Sequence, residues 1–355
     1  MSSHLPHLAS TTRRGALRFG LAGAGMLVAG RSAWASKPIE IRVAHALQEG
    51  SHLDRAVTRF AEEVQTKSSG RLIVTQFASS RLGSDLKVFE QMHKGGLPAT
   101  LLVASTTTLV PASKAMAIWD TPFLFHNPAE AYAVLDGKYG QQVLASLSQG
   151  NIVGLAYWEN GFRQITNSVR PITRLDDFAG LRMRVRPDDI AVSTFKQLGV
   201  DAKPLPFGEL PQALRERKFD GQENPYATIV SARIHEVQNY LNITNHLYTP
   251  YGFIASKGWW DTLAPDLQKI VREAAWNQRT YQRAESRRAS EEALGIIKSS
   301  GIKISELSVI ERNRIVERLT KVNVNIVSRV GTPLWANVAM ELDDFRHKAR
   351  SAAAG

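Results

Sequence analysis

The sequence of 355 residues contains no cysteine. That excludes a disulfide scaffold, thiolate zinc or iron–sulfur sites, and any cysteine nucleophile. Long apolar runs are missing too, since no segment after residue 35 approaches the ~18 uninterrupted apolar residues of a membrane helix. Charged residues make up only 22% of the chain, and no fixed-period repeat or low-complexity tract is present, so a coiled coil, solenoid or collagen-like rod is excluded. Catalytic signatures are equally scarce. There is no Gly-x-Ser-x-Gly elbow, no His-Glu-x-x-His zinc helix and no Gly-x-x-x-x-Gly-Lys phosphate loop. What remains, at 43% hydrophobic content, is a globular chain long enough for two domains with sizeable cores.

The formal charge of +11 needs a correction before it is read. The first 35 residues carry Arg13, Arg14, Arg18 and Arg31 and no acid, which leaves +7 for the rest. No run of five basic residues accompanies that surplus, so nucleic acid is not an expected partner, and the charge suits an anion binder as well as it suits an ordinary soluble protein. Residues 1–35 read as an export signal: a polar basic start, an apolar stretch from Phe19 to Gly30, and the small-x-small site Ala33-Trp34-Ala35 before Ser36. Twelve residues cover roughly 18 Å of a ~30 Å hydrocarbon core, too little for a stable anchor. Cleavage after Ala35 and a periplasmic destination are expected. The pair Arg13-Arg14 resembles the twin-arginine export pattern, with Ala16 where an aromatic is usual.

Along the remaining chain, strand and helix alternate. Ile39 to Val43 has strand periodicity, and Ser51-His52-Leu53-Asp54 opens a helix with Leu53, Val57, Phe60 and Val64 on one face. Leu72 to Phe77 is a second strand, Gly83-Ser84-Asp85 starts a further helix, and Ala99 to Ala104 is an apolar run suited to a buried parallel strand. The rhythm returns around a change of character near residue 160, with strands at Ile152–Tyr157 and Leu181–Val185 and helices at Asp189–Leu198 and Phe207–Arg217. Two α/β lobes are therefore expected. Helical spacing then runs from Pro265 to about Ser300 and from Val309 to about Arg329. The first of these helices would be ~50 Å long, more than one small domain, and should span both lobes. Two lobes tied by a long helix suggest a clamp with its ligand between them, at the carboxyl ends of the strands.

Several short motifs follow one another in a distinctive order: Ser80-Arg81-Leu82-Gly83, Pro122-Phe123-Leu124-Phe125, Asn160-Gly161-Phe162-Arg163, Gly180-Leu181-Arg182-Met183-Arg184-Val185, Asp220-Gly221-Gln222-Glu223-Asn224-Pro225 and Asp266-Leu267-Gln268-Lys269. In that order and spacing the chain resembles the solute-binding proteins of tripartite ATP-independent periplasmic (TRAP) transporters, of the DctP type, over nearly all of its length after the signal. The resemblance implies a two-lobed periplasmic-binding-protein clamp with a long helix spanning both lobes. Its division would be residues 36–160 plus about 249–290 as lobe I and residues 161–248 plus about 291–355 as lobe II. It further implies a monomer without cofactor, metal or enzymatic activity, which captures a small organic acid of the C4-dicarboxylate or sugar-acid type and delivers it to TRAP membrane permease subunits. By the same resemblance Arg184 holds the ligand carboxylate, Asn224 sits beside it, Arg163 is a second arginine of the cleft, and Phe207 packs on the ligand.

The chemistry of these residues is consistent with that assignment. A planar guanidinium offers paired donors that match two carboxylate oxygens, stays charged at any working pH and gives up hydration more readily than an ammonium. Arg182, Arg184 and Arg186 alternate with Met183 and Val185, and for Arg182 and Arg186 a solvated face is the expectation. Asn224 adds donors without charge, with a turn before Pro225 as the rival role. Arg163 falls in a polar turn, where an interlobe salt bridge is the alternative, and Phe207 could equally be core. Glu223 is expected to be structural. The hydroxyl run Ser105-Thr106-Thr107-Thr108 could bond the far end of a ligand, whereas Pro98 and Pro211 depart from the family pattern and leave ligand identity open. Two other classes stay in view: an exported hydrolase, and an extracytoplasmic sensor partner built on the same clamp. His45 and His52 are the only histidine pair near the expected cleft mouth, and ordinary loop polar residues, not a metal pair, are the expectation.

Overall fold

The computed structural model describes residues 37–354, so the export signal lies outside the described residues. Nine strands form one mixed sheet: β1 (Ile39–His45), β2 (Leu72–Phe77), β3 (Leu101–Ser105), β4 (Ile152–Asn167), β5 (Arg182–Val185), β6 (Asp201–Pro204), β7 (Gly221–Pro225), β8 (Tyr240–Ser256) and β9 (Lys303–Glu306). Their order is β2-β1-β3-β8-β4-β7-β5-β6, with β9 added to β8. The pairs β1/β2, β1/β3, β5/β6 and β5/β7 are parallel and carry helical crossovers. The antiparallel pair β4/β8 runs through the middle of the sheet and belongs to both halves.

The first of these long strands is where the sequence expectation falls short. Residues 152–157 read as a short strand followed by a polar turn, but the strand continues for 16 residues to Asn167 and places Arg163 in its second half. The turn-like composition of Glu159-Asn160-Gly161 corresponds to a shift in pairing register opposite Pro250 and Thr249. Gly161 has φ of 109°, a region closed to residues with a Cβ, and this lets the strand bend without ending.

Each half of the sheet has its own core. In the first, Phe60 and Trp158 each meet Phe253 edge-on with ring centroids 4.8 Å apart; in the second, Phe178, Met183, Val185, Phe195 and Ile315 pack together. Helices start where caps dictate: Ser51 accepts from the Asp54 N–H, Ser84 from Lys87 and Asp188 from Ala191. The long helix occupies Pro265–Ser299, 35 residues, as its spacing predicts. Its start buries Leu267 and Val271 in the first core, while Ile297 near its end joins Leu210, Ile229 and Leu241 on the other side. It therefore spans both halves. Midway, Gln282 bonds both backbone groups of Glu159, accepting from its N–H at 2.6 Å and donating to its C=O at 2.7 Å.

The chain after residue 300 departs from expectation. Helical spacing over 309–329 resolves into two helices, Val309–Arg318 and Thr320–Val330, and a further helix covers Thr332–Ala354. That last helix packs on the helices Pro128–Asp136 and Lys138–Ala145, where Arg346 donates to Glu130 at 2.7 Å. Its apolar residues Val338 and Leu342 join a buried cluster with Leu102, Val134 and Ile254. No helix among the described residues is long and apolar enough to cross a membrane.

Candidate functional site

A cavity of about 320 Å³ opens between the two halves of the sheet. Arg184, Asn224, Arg163 and Phe207 all line it, so the sequence brings its four candidates to one place. Their states differ, and the differences determine what the cavity can hold.

Arg184 stands on β5 and is 2% exposed. Its Nε donates to the Leu205 carbonyl at 2.8 Å, just past β6, which fixes the plane of the guanidinium. Neither terminal nitrogen has a protein acceptor among the described residues. Burial pushes this cation's pKa down to about 10, and the charges of Arg163 and Arg186 add to the effect against the pull of Glu223. It remains protonated at neutral pH.

Arg163, reaching in from β4, is already matched. Its Nε donates to Glu223 Oε2, and its Nη2 donates to Glu223 Oε1 at 2.9 Å, to the Glu223 carbonyl at 2.7 Å and to Asn224 Oδ1 at 3.1 Å. Burial opposes the Glu223 charge, but Arg163, the His246 side chain and Arg186 outweigh it and hold that carboxyl below the ordinary range. Glu223 is thus structural, as its position next to the anchor suggested. Asn224 on β7 is fixed at both ends of its amide: the oxygen takes Arg163, and the nitrogen donates to Gln222 Oε1 at 2.5 Å. One N–H is left for the cavity instead of two. Phe207 begins the short turn Phe207–Glu209 and is half-buried, one side in the cavity and the other against both cores.

The expectation for Arg186 needs correction. Arg182 does lie on the surface, paired with Asp220. Arg186 instead turns inward and is 8% exposed, because buried carboxylates wait for it. Its Nη2 donates to Asp120 Oδ1 at 3.2 Å, its Nη1 donates to Thr249 Oγ1 at 3.3 Å, and its Nε lies 3.4 Å from Asp188 Oδ2. Burial works against this charge, yet Asp188, Asp120 and Glu223 more than offset it and raise the pKa. Thr107 is spent on the same cluster, donating to Asp120 at 2.6 Å. Of the hydroxyl run, Ser105 and Thr108 still border the cavity.

The lining residues not singled out from sequence include Asp85, Asn160 and Tyr251. Asn160 lay inside a quoted motif but read as turn, Asp85 read as a helix start, and Tyr251 carried no signal. Among the described residues no three His, Cys, Asp or Glu side chains gather as a metal site. The arrangement is therefore one open, buried cation beside two that are internally neutralised.

Comparison with known proteins places the chain. A solute-binding protein of Verminephrobacter eiseniae is 32% identical over 84% of this chain and 88% of its own length. The C4-dicarboxylate-binding periplasmic protein DctP of Rhodobacter capsulatus is 29% identical over 85% of this chain and 91% of its own. Among solved structures, the sugar acid binding protein DctPAm of Advenella mimigardefordensis, in complex with galactonate, superposes with a TM-score of 0.83 at 37% identity, covering 87% of this chain and 99% of that one. The fold is accordingly the two-lobed mixed α/β clamp of TRAP periplasmic solute-binding proteins. Residues 43–329 match the family model DctP, bacterial extracellular solute-binding protein, family 7, and the chain belongs to that family.

Proposed function

We propose that this protein is a periplasmic receptor that captures a small organic acid by its carboxylate and delivers it to a TRAP membrane carrier. The observation that carries the reading is Arg184: a buried guanidinium with both terminal nitrogens unmatched among the described residues, in a cavity between two lobes. The two prongs of a carboxylate fit the two prongs it leaves free. Asn224 adds one neutral donor, Arg163 and Arg186 supply a positive field whose own charges are balanced locally, and Phe207 covers the ligand from the side. Relatives that bind a C4-dicarboxylate or galactonate support the ligand class.

Capture is by closure. The lobes, residues 36–160 with about 249–290 and residues 161–248 with about 291–330, meet along β4 and β8, where the register shift at Glu159–Gly161 and Pro250 supplies a bend. The helix Thr332–Ala354 moves with the first lobe. In the open clamp Arg184 is hydrated; closing over a ligand excludes water and strengthens each charge-assisted bond. Export by residues 1–35, with cleavage after Ala35, brings the receptor to its carrier. Residue chemistry gives no support to catalysis.

A thermal-shift screen of the purified protein against organic acids, sugars and amines tests the class, because ligand at about a hundred times its dissociation constant adds about 2.7 kcal/mol of stability. Stabilisation by acids and not by neutral sugars is expected. Stabilisation by neutral sugars or amines with no response to any acid overturns the reading.

A further inference from the structure

The buried charges behind the cavity are unevenly shared. Arg163 and Glu223 match one to one. Arg186 instead serves two acids: Asp120 Oδ1 accepts from its Nη2 at 3.2 Å, and Asp188 Oδ2 lies 3.4 Å from its Nε. The Asp120 side chain is 1% exposed and that of Asp188 14%. Each acid keeps one buried oxygen, Asp120 Oδ2 and Asp188 Oδ2, without a hydrogen-bond partner among the described residues. One guanidinium cannot neutralise two carboxylates, so the pair holds a surplus negative charge. The cation left to balance it is Arg184, which lines the same cavity as Asp188 and feels its charge.

We propose that seating an acid anion on Arg184 draws a proton from water onto the Asp120/Asp188 pair, so that acid and proton are captured together. The proposal rests on the carboxylate seat of the proposed function and adds a second, smaller ligand to it. A ligand carboxylate neutralises Arg184 and leaves the pair's surplus charge uncompensated in a water-poor space, the condition that drives a buried carboxylate to take a proton. Protonating either unmatched oxygen removes the surplus and gives the pair a donor. Asp188 is the point of entry, because it borders the cavity and Asp120 does not. It is already poised: burial, with Asp120 adding, sets its carboxyl at about 6 in spite of Arg186, and burial raises Asp120 as well. The groups packed around the pair leave the surplus in place. Glu223, on β7, is negative and held by Arg163, and His246, on β8, lies 3.4 Å from Glu223 Oε2 with its pKa lowered by burial against the pull of that carboxylate. Arg329, on the helix Thr320–Val330, is paired with Asp189. Asp85, on the opposite wall, is raised by burial against the pull of Arg184 and is the rival site for the proton.

A carboxyl that binding raises holds its proton longer in the complex, so affinity should increase as pH falls toward about 6 and level off below it. The ligand carboxyl, ordinarily at about 4, gives the opposite slope only in more acid solution. Calorimetry of the purified protein in buffers of different ionisation enthalpy, with the tightest binder among galactonate, erythronate and succinate, counts the protons. About half a proton per acid should be taken up at pH 6.5, and affinity should rise about three- to tenfold from pH 8 to pH 6. Asp188→Asn keeps the helix cap and removes the surplus charge; it should bind at pH 8 as the parent does at pH 6, with no uptake. Asp85→Asn should keep the uptake. Arg184→Met tests the same link without ligand, since losing the cation exposes the same surplus: carbon NMR of aspartate-labelled protein should show Asp188 titrating at higher pH than in the parent. The proposal is overturned if binding takes up no proton, if uptake persists in Asp188→Asn or vanishes in Asp85→Asn, or if the Asp188 titration does not move in Arg184→Met. Failure of the underlying reading looks different: no organic acid binds the parent, or Arg184→Met binds as well as the parent does.

Discussion

Arg163 and Glu223, each with a side chain 2% exposed, close a two-pronged ion pair between the neighbouring strands β4 and β7. The pair withdraws one arginine of the cavity from competition for an anion and leaves Arg184 beside it as the open one. A buried pair of this kind contributes little net stability, but it fixes geometry: with Glu223 holding the guanidinium, Asn224 Oδ1 has a constant donor and its amide faces the cavity in one orientation.

Arg184→Ala should weaken acid binding by about tenfold to several hundredfold. Hydrogen bonds to a charged group contribute roughly 1.5–3 kcal/mol, and each 1.4 kcal/mol is about a decade in affinity. Arg184→Lys should recover only part of the loss, because an ammonium keeps the charge but cannot present two parallel donors. Calorimetry with the preferred acid reads both variants. Binding by Arg184→Ala within about twofold of the parent contradicts the assigned seat.

How much of this was legible beforehand follows physical lines. Local signals worked: the spacing of Leu267, Val271 and Ala274 marked a helix longer than one lobe, and the apolar run around Leu101–Ala104 marked a buried strand. Arg184 was placed by its motif. Non-local facts were hidden. Arg186 looked like a solvated strand residue because its partners Asp120 and Thr249 lie 66 and 63 residues away. Asp85 looked like helix-start chemistry, since only the folded sheet shows Ser84 doing the capping and Asp85 facing a cavity. The strand β4 reads short from sequence because Glu159-Asn160-Gly161 has turn composition, and no local pattern distinguishes a bulge within a strand from the end of one.

Removing the acid of the buried pair should cost stability more than binding. Glu223→Gln leaves the Arg163 charge without its partner, and breaking a buried pair from one side costs about 3–5 kcal/mol. The sign with pH follows from the depressed carboxyl: the stabilisation is complete above the ordinary carboxyl value and is lost as pH falls through the lower folded one. Urea unfolding at pH 7 and near pH 4 should therefore show a large gap between parent and variant at pH 7, and a smaller one in acid. Equal gaps at both would mean the pair carries no net charge-dependent energy.

Asp188 should behave in the opposite sense. Burial, with Asp120 nearby adding, raises its carboxyl to about 6 in spite of Arg186, while its Oδ1 accepts from the Ala191 N–H at 2.6 Å. A folded value above the unfolded one of about 3.9 means the native state holds the proton longer, so this residue's contribution falls as pH rises from about 4 to about 6. Asp188→Asn keeps a good helix cap and removes the titration. Relative to the parent, the variant should gain stability steadily across that window. The difference in unfolding free energy, measured in urea at half-unit steps of pH, reads it; a flat difference rejects the assignment.

The last prediction concerns the junction of the long helix with β4. Glu159 pairs with Pro250, which has no N–H to donate, so the ladder cannot satisfy the Glu159 carbonyl at that point. Gln282 does so instead, and takes the Glu159 N–H as well. Gln282→Leu preserves bulk but orphans two buried backbone groups, each costing about 1–3 kcal/mol. Gln278→Leu, one turn earlier on the same helix, loses only a half-buried bond to Glu63 and should cost about 1 kcal/mol or less. Chemical denaturation of both variants gives the comparison. Because Gln282 ties the helix to the strand at its bend, the larger loss should come with faster amide exchange at Glu159. If the two variants prove equally stable, the backbone of β4 finds its partners elsewhere and the helix is not what holds the bend.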